Sequence, residues 1–258
     1  MAQGTLFDAY QGSRLVRVLS DLTLADTPVS HKNFALRLGE FIDLSDAFAL
    51  SDQLRSLPRL RFKAAETADL ETLKNTFMAA QSAAIDAIMA SFVPMEASPG
   101  SGRPMPLPRL SDERFTRPDQ LQEAYHRFYT LHQSDMEGHV LRIRHQIKEA
   151  AQQQSEAMMQ LNTLDNAVSD ALLPHQRKLL TIIPRLMNTR FQHLLTLHQQ
   201  QNTDTNTDDS AALWQAPGQW LAQYHQELQS VMLAELELRF LPVLGMIEAM
   251  ENEESPAL

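Results

Sequence analysis

A single apolar stripe at helical spacing constrains this chain more than any other feature. It runs Leu121, Tyr125, Phe128, His132, Met136, Val140, Ile143, Ile147, Ala150, Gln154, Met158, Leu161, Asp165, Val168 and Leu172. Its fourteen steps cover 51 residues, a mean of about 3.64. A left-handed coiled coil repeats every 3.5 residues, so this longer period predicts a nearly straight α-helix. Unbroken, the helix would be about 75 Å long at 1.5 Å per residue. Gly138 and the polar run Gln152 to Gln154 are the places where it would break. Little in the remaining composition suits a sheet, because only 8 residues are Gly and 7% are aromatic. The expected class is all-α: an elongated helical bundle with one long central helix and a Pro-rich linker.

Shorter patterns flank the long one. Leu15, Val18, Leu19 and Leu22 form one stripe of a first helix, and Thr27-Pro28 supplies a start signal for a second. That second helix would turn Phe34, Leu38, Phe41, Ile42 and Phe48 inward. Arg55, Arg59, Arg61 and Lys63 around Pro58 read as a basic connector. A third helix follows from Glu66, striped by Leu70, Leu73, Phe77, Ala84 and Ile88, widened by Met78, Ile85, Met89 and Phe92, and stopped by Pro94. Six of the 13 prolines then fall between Pro94 and Pro118, which marks a semi-rigid spacer. After the long stripe, Pro174 is expected to end one helix and start another, kinked at Pro184. The apolar-free run after Gln199 is expected to be a flexible loop. The last helix runs from about Pro217 toward Met250, bent at Pro242, with Trp220, Tyr224, Leu228, Val231 and Leu238 inside. The domain reading is 1–93 as a three-helix region, 94–118 as linker, 119–251 as the long-helix bundle and 252–258 as an acidic tail.

Charge narrows the classes of partner. The formal charge is −10, and residues 203–258 hold ten acids against the single base Arg239. An acidic chain argues against a nucleic-acid binder, although Arg55 to Lys63, or Arg142, Arg144 and Lys148, would be the cations used, with Tyr125 and Tyr129 as stacking groups. No apolar run reaches the roughly 18 to 20 residues of a membrane span, and Met1 to Tyr10 lacks the pattern of a signal peptide. A cytoplasmic location is therefore expected. The absence of Cys excludes disulfides, thiolate metal sites and cysteine nucleophiles together.

Catalytic motifs are missing: there is no Gly-x-Ser-x-Gly elbow, no phosphate-binding Gly-rich loop and no His-Glu-x-x-His. The remaining candidates for chemistry are metal ligands. Glu123 and His126 have the Glu-x-x-His spacing of di-iron bundles, which need a second copy that this chain lacks. His132, Asp135 and His139 share a helical face at i, i+3 and i+7, where the carboxylate would orient an imidazole. The competing reading takes all five as polar positions on an amphipathic helix. On that reading there is no catalytic residue, no metal and no cofactor.

Two stretches carry a family likeness. Ser13-Arg14-Leu15-Val16-Arg17-Val18-Leu19, Phe34-Ala35-Leu36-Arg37-Leu38-Gly39-Glu40-Phe41-Ile42-Asp43 and Ser45-Asp46-Ala47 lie near the start. Leu233-Ala234-Glu235-Leu236-Glu237-Leu238-Arg239 and Leu241-Pro242-Val243-Leu244-Gly245 lie near the end. Together they resemble a proteobacterial family known only as a domain of unknown function. The resemblance implies an all-helical bacterial protein of the cytoplasm and, through gene neighbourhood, a link to membrane motor components of the MotA, TolQ and ExbB type. It supplies packing motifs and no catalytic residues. The expected function is a non-enzymatic helical interaction or scaffold protein, binding a protein partner or itself. Ile143, Ile147 and Met158 on the long helix are the expected partner surface. The alternatives are a metal-dependent enzyme at the His/Glu/Asp face and a nucleic-acid-binding regulator.

Overall fold

The protein was analysed as a computed structural model that describes residues 14–22, 44–63, 69–93, 106–109, 118–202 and 214–254. In chain order these form α1 (Arg14–Asp21), α2 (Leu44–Ser56) with a 3-10 turn (Leu57–Arg59), α3 (Leu70–Phe92), α4 (Pro118–Gln154), α5 (Glu156–Leu180), α6 (Ile183–Asn202) and α7 (Trp220–Glu254). There is no strand among the described residues, so the fold is all-α. The expected second-helix stripe before Leu44, most of the Pro-rich linker, the acidic run after Asn202 and the last four residues lie outside the described residues.

The chain divides into two compact units. The first comprises Met1–Thr27, Ser82–Glu137 and Thr181–Arg239, and the second Pro28–Gln81, Gly138–Leu180 and Phe240–Leu258.

In the first unit, Gln192 bonds to Gln122 and Asn188 lies 3.4 Å from His126, so α6 runs antiparallel to α4. Tyr125 meets His225, while Tyr129 and Gln133 both reach Glu235, so α7 runs parallel to α4. Phe191 of α6 packs edge-on against Trp220 and Tyr224 of α7, with ring centroids 5.4 and 5.1 Å apart. The end of α3 closes the unit through Phe92 on Phe128. Residues 106–109 are tied to that end: Leu107 donates its N–H to the Ser91 carbonyl at 2.9 Å, and Arg109 donates to the Phe92 carbonyl at 3.2 Å. Arg109 thereby satisfies one of the carbonyls that a helix C-terminus leaves open. Leu15 of α1 is buried in the same unit.

In the second unit α2 packs on α5. Phe77 of α3 stacks edge-on against Phe240 of α7, and Lys74, a turn earlier, pairs with Glu251 further along α7, so these two helices run in opposite directions. Arg144 pairs with Asp165 at 2.8 Å, and Asn162 donates to the Lys148 carbonyl at 3.2 Å. A straight helix would hold residues 144 and 165 about 30 Å apart at 1.5 Å per residue. The long stripe is therefore not one rod. The chain reverses at Ser155, which lies between the two helices and caps α5 by accepting the Met158 N–H on its hydroxyl oxygen at 3.1 Å and the Met159 N–H on its carbonyl at 3.0 Å.

The same reversal explains the burial pattern. Stripe positions through Ala150 are buried, but beyond the turn the phase changes: Met158, Met159, Asn162 and Ala171 face inward while Leu161 and Val168 are exposed. Two prolines also behave differently from expectation. Pro174 sits inside α5 rather than ending it. The break comes at Thr181-Ile182, which places Pro184 in the first turn of α6, where its missing N–H has no helical partner to lose. On α3 the stripe of Leu70, Leu73, Phe77, Ala84 and Ile88 is buried, whereas the widening positions Met78, Ile85 and Met89 are exposed. Ahead of α7, Gly218 adopts φ 83°, a left-handed turn conformation that a side chain would strain.

Candidate functional site

The strongest concentration of polar chemistry lies between α4 and α7 in the first unit. The Glu235 side chain is 0% exposed. A bare carboxylate there would be costly, and three side chains compensate it through four donor atoms. Tyr129 donates its hydroxyl at 2.9 Å, Gln133 its amide at 3.0 Å to both oxygens, and Arg239 its Nε and Nη2 at 2.9 and 2.7 Å to Oε1. The helix places these groups without distortion, because Glu235 and Arg239 are one turn apart on α7, and Tyr129 and Gln133 are one turn apart on α4. Burial, then the charge and hydrogen bond of Glu235, push the Tyr129 hydroxyl well above its usual range, so it stays a neutral donor. A carboxylate whose oxygens are taken up by four donor atoms is poorly placed to act as a base. The arrangement is a closed internal lock.

One turn earlier the same two helices hold a second polar pair in aromatic surroundings. The Tyr125 hydroxyl and His225 Nε2 are 2.7 Å apart. Burial first, and the Arg109 guanidinium second, lower the His225 imidazole to about 4. The ring is held neutral, and burial raises Tyr125 well above its usual range, so the two share a hydrogen bond between uncharged groups. Phe191 and Tyr224 enclose the Tyr125 ring, at centroid distances of 5.7 and 5.1 Å. On the far side of α7, Arg190 grips Glu227 in a two-pronged ion pair at 2.8 and 2.7 Å, both side chains largely buried.

The residues singled out as metal candidates do not converge. Glu123 and Asp135 are exposed, His126 and His139 are half-buried, and His126 is turned toward Asn188. His132 is buried edge-on against Phe128, at 4.5 Å between ring centroids. No group of three or more His, Asp or Glu is placed to hold a metal ion among the described residues. The nucleic-acid candidates are dispersed as well. Tyr125 and Tyr129 are core residues, unavailable for stacking on bases. Arg144 and Lys148 are both spent on Asp165. Burial raises Asp165 and hydrogen bonds from Lys148 and Arg144 lower it, with the net shift downward; Lys148 itself is lowered by burial.

The expected partner surface is corrected outright. Ile143, Ile147 and Met158 are all buried, because α5 folds back on α4 and takes the face that a lone rod would have offered. Exposed apolar side chains appear instead on α3. Ile85 and Met89 lie one turn apart on α3 and are 37% and 42% exposed, and Val93, just past the end of the helix, is 58% exposed. The Glu235 lock was missed as a unit. Glu235 and Arg239 had been noticed only within the run Leu233 to Arg239, where an acid and a base four apart look like an ordinary surface pair. The available signal was that the run sits among core residues on all sides: Val231, Met232, Ala234, Leu236 and Phe240 are buried too.

That run belongs to the chain-long likeness described above. A family profile described as Protein of unknown function (DUF3348) matches residues 1–252. The chain belongs to this family. The DUF3348 match therefore spans both compact units and every described helix but the last turn of α7. No curated protein and no solved structure matches the chain. No described helix of this DUF3348 member is long and apolar enough to cross a membrane.

Proposed function

We propose that the chain is a non-enzymatic helical interaction protein, docking a helix of a protein partner on the outer face of α3. The observation that carries this reading is the exposed row Ile85, Met89 and Val93. Ile85 and Met89, at i and i+4 on α3, match the anchor spacing by which one helix lies against another, and Val93 follows directly after the end of the helix. Met89, between Ile85 and Val93, adapts its shape to an incoming surface at low cost. The buried polar groups of the first unit support the same reading, because Glu235 is occupied by Tyr129, Gln133 and Arg239, and His225 by Tyr125. The family resemblance suggests the assembly to search first, a bacterial cytoplasmic assembly associated with a membrane complex of the MotA, TolQ and ExbB type.

The test is affinity purification of the full chain from its native cells under gentle detergent, with mass spectrometry of proteins and metals, beside a Met89→Asp variant. A stoichiometric helical partner, lost in the variant while the helical circular dichroism is kept, is the expected result. Light scattering of the pure chain separates a second copy from a different protein. Equal recovery of the partner by the variant overturns the α3 face, and one or two equivalents of bound iron or zinc overturn the non-enzymatic reading.

A further inference from the structure

We propose that the segment from Phe48 to Lys63 is a docking site for an anionic phospholipid surface. In a chain of net charge −10, this stretch carries Arg55, Arg59, Arg61 and Lys63 against the single acid Asp52. All four cations are exposed, and none makes an ion pair among the described residues. Local geometry displays them. After the 3-10 turn the backbone at Leu60 is extended, and from there exposure alternates: Arg59, Arg61 and Lys63 are exposed while Leu60 and Phe62 are half-buried. The alternation beyond the turn puts Arg61 and Lys63 on one side of the segment and Leu60 and Phe62 on the other, with Arg59 exposed at the end of the turn.

A second, independent feature selects the partner. Phe48 is 68% exposed and Leu54 is 51% exposed, and Phe48 lies seven residues before Arg55, on the same line of α2. A membrane interface receives both kinds of group: cations at the headgroup phosphates, and Phe and Leu at the acyl boundary. A nucleic acid would engage the cations but has no apolar phase to receive Leu54.

Each cation brought to an anionic leaflet strengthens binding about five-fold. The test is flotation of the full chain with vesicles of phosphatidylcholine alone, and of phosphatidylcholine mixed with phosphatidylglycerol, at low and physiological salt. Binding to the mixed vesicles only is expected. Arg59→Ser with Arg61→Ser should weaken it about thirty-fold. Phe48→Ser should weaken it several-fold without changing its salt dependence, and Arg142→Ser, an exposed cation on another helix, should leave it unchanged. Circular dichroism checks that each variant keeps its helices. Failure of the unaltered chain to float with the mixed vesicles, or equal binding by the double variant, overturns the proposal. Retention on polyuridylate without vesicle binding overturns it in favour of nucleic acid.

Discussion

Arg239 and Glu235 show how a residue's surroundings decide its worth. An exposed pair at i, i+4 stabilises by only a few tenths of a kcal/mol, but this pair is sealed between two helices. Arg239→Met leaves the Glu235 carboxylate buried without its countercharge and should cost about 3 to 5 kcal/mol, measured by urea unfolding. His225 predicts a pH dependence. Its folded-state value of about 4 lies below the ordinary 6.5, so an unfolded chain takes up a proton that the folded one refuses. Stability is then full above pH 6.5, falls as the pH drops toward 4, and levels off below that. Between about pH 7 and pH 5 this one group accounts for roughly 2 kcal/mol of lost stability. A His225→Gln variant, which keeps an uncharged hydrogen-bonding group beside Tyr125, should lose that much less over the same interval in a thermal-melt series.

At the scale of the element, what the sequence made legible was the helix and not its direction. The stripe from Leu121 to Ala150 is buried as its period requires, and so is Leu70 to Ile88 on α3. Apolar spacing records which side of a helix is covered. It carries no information on whether the next residue continues the axis or turns back, and a 3.64 mean survives a reversal that replaces one residue's hydrogen bonding. The signal at the turn was chemical: Ser155 followed by Glu156, a cap and a first-turn acid, hidden because the surrounding run is polar and helix-compatible. Ser155 also donates its hydroxyl to Glu253 at 2.5 Å. Ser155→Ala removes both bonds and should lower stability by about 1 to 2 kcal/mol in chemical denaturation. The candidate surfaces were less legible than the helices, because exposure of Ile85 or burial of Ile147 depends on which neighbour folds back, a matter of tertiary contact.

For the molecule as a whole, helix α7 contributes more buried apolar side chains than any other described helix, from Trp220 to Met250. Helices α3, α4 and α7 each contribute residues to both compact units, so damage within them should be felt in both. Phe240→Ala, which empties a buried ring position against Phe77, should cost about 3 to 5 kcal/mol, read by calorimetry. The turn at Ser155 also sets an order in time. Helices α4 and α5 meet through partners only 14 to 25 positions apart, such as Asn162 with Lys148 and Ser169 with Arg144. The meetings of α4 with α7 join residues about 100 apart, among them Tyr129 with Glu235. Short loops close with less entropy lost, so the hairpin centred on Ser155 should form first and wait for α7. In pulsed hydrogen exchange during refolding, amides of α4 and α5 near that turn should gain protection before those of α7, and the nascent hairpin would then serve as the template on which the far end of the polypeptide is received.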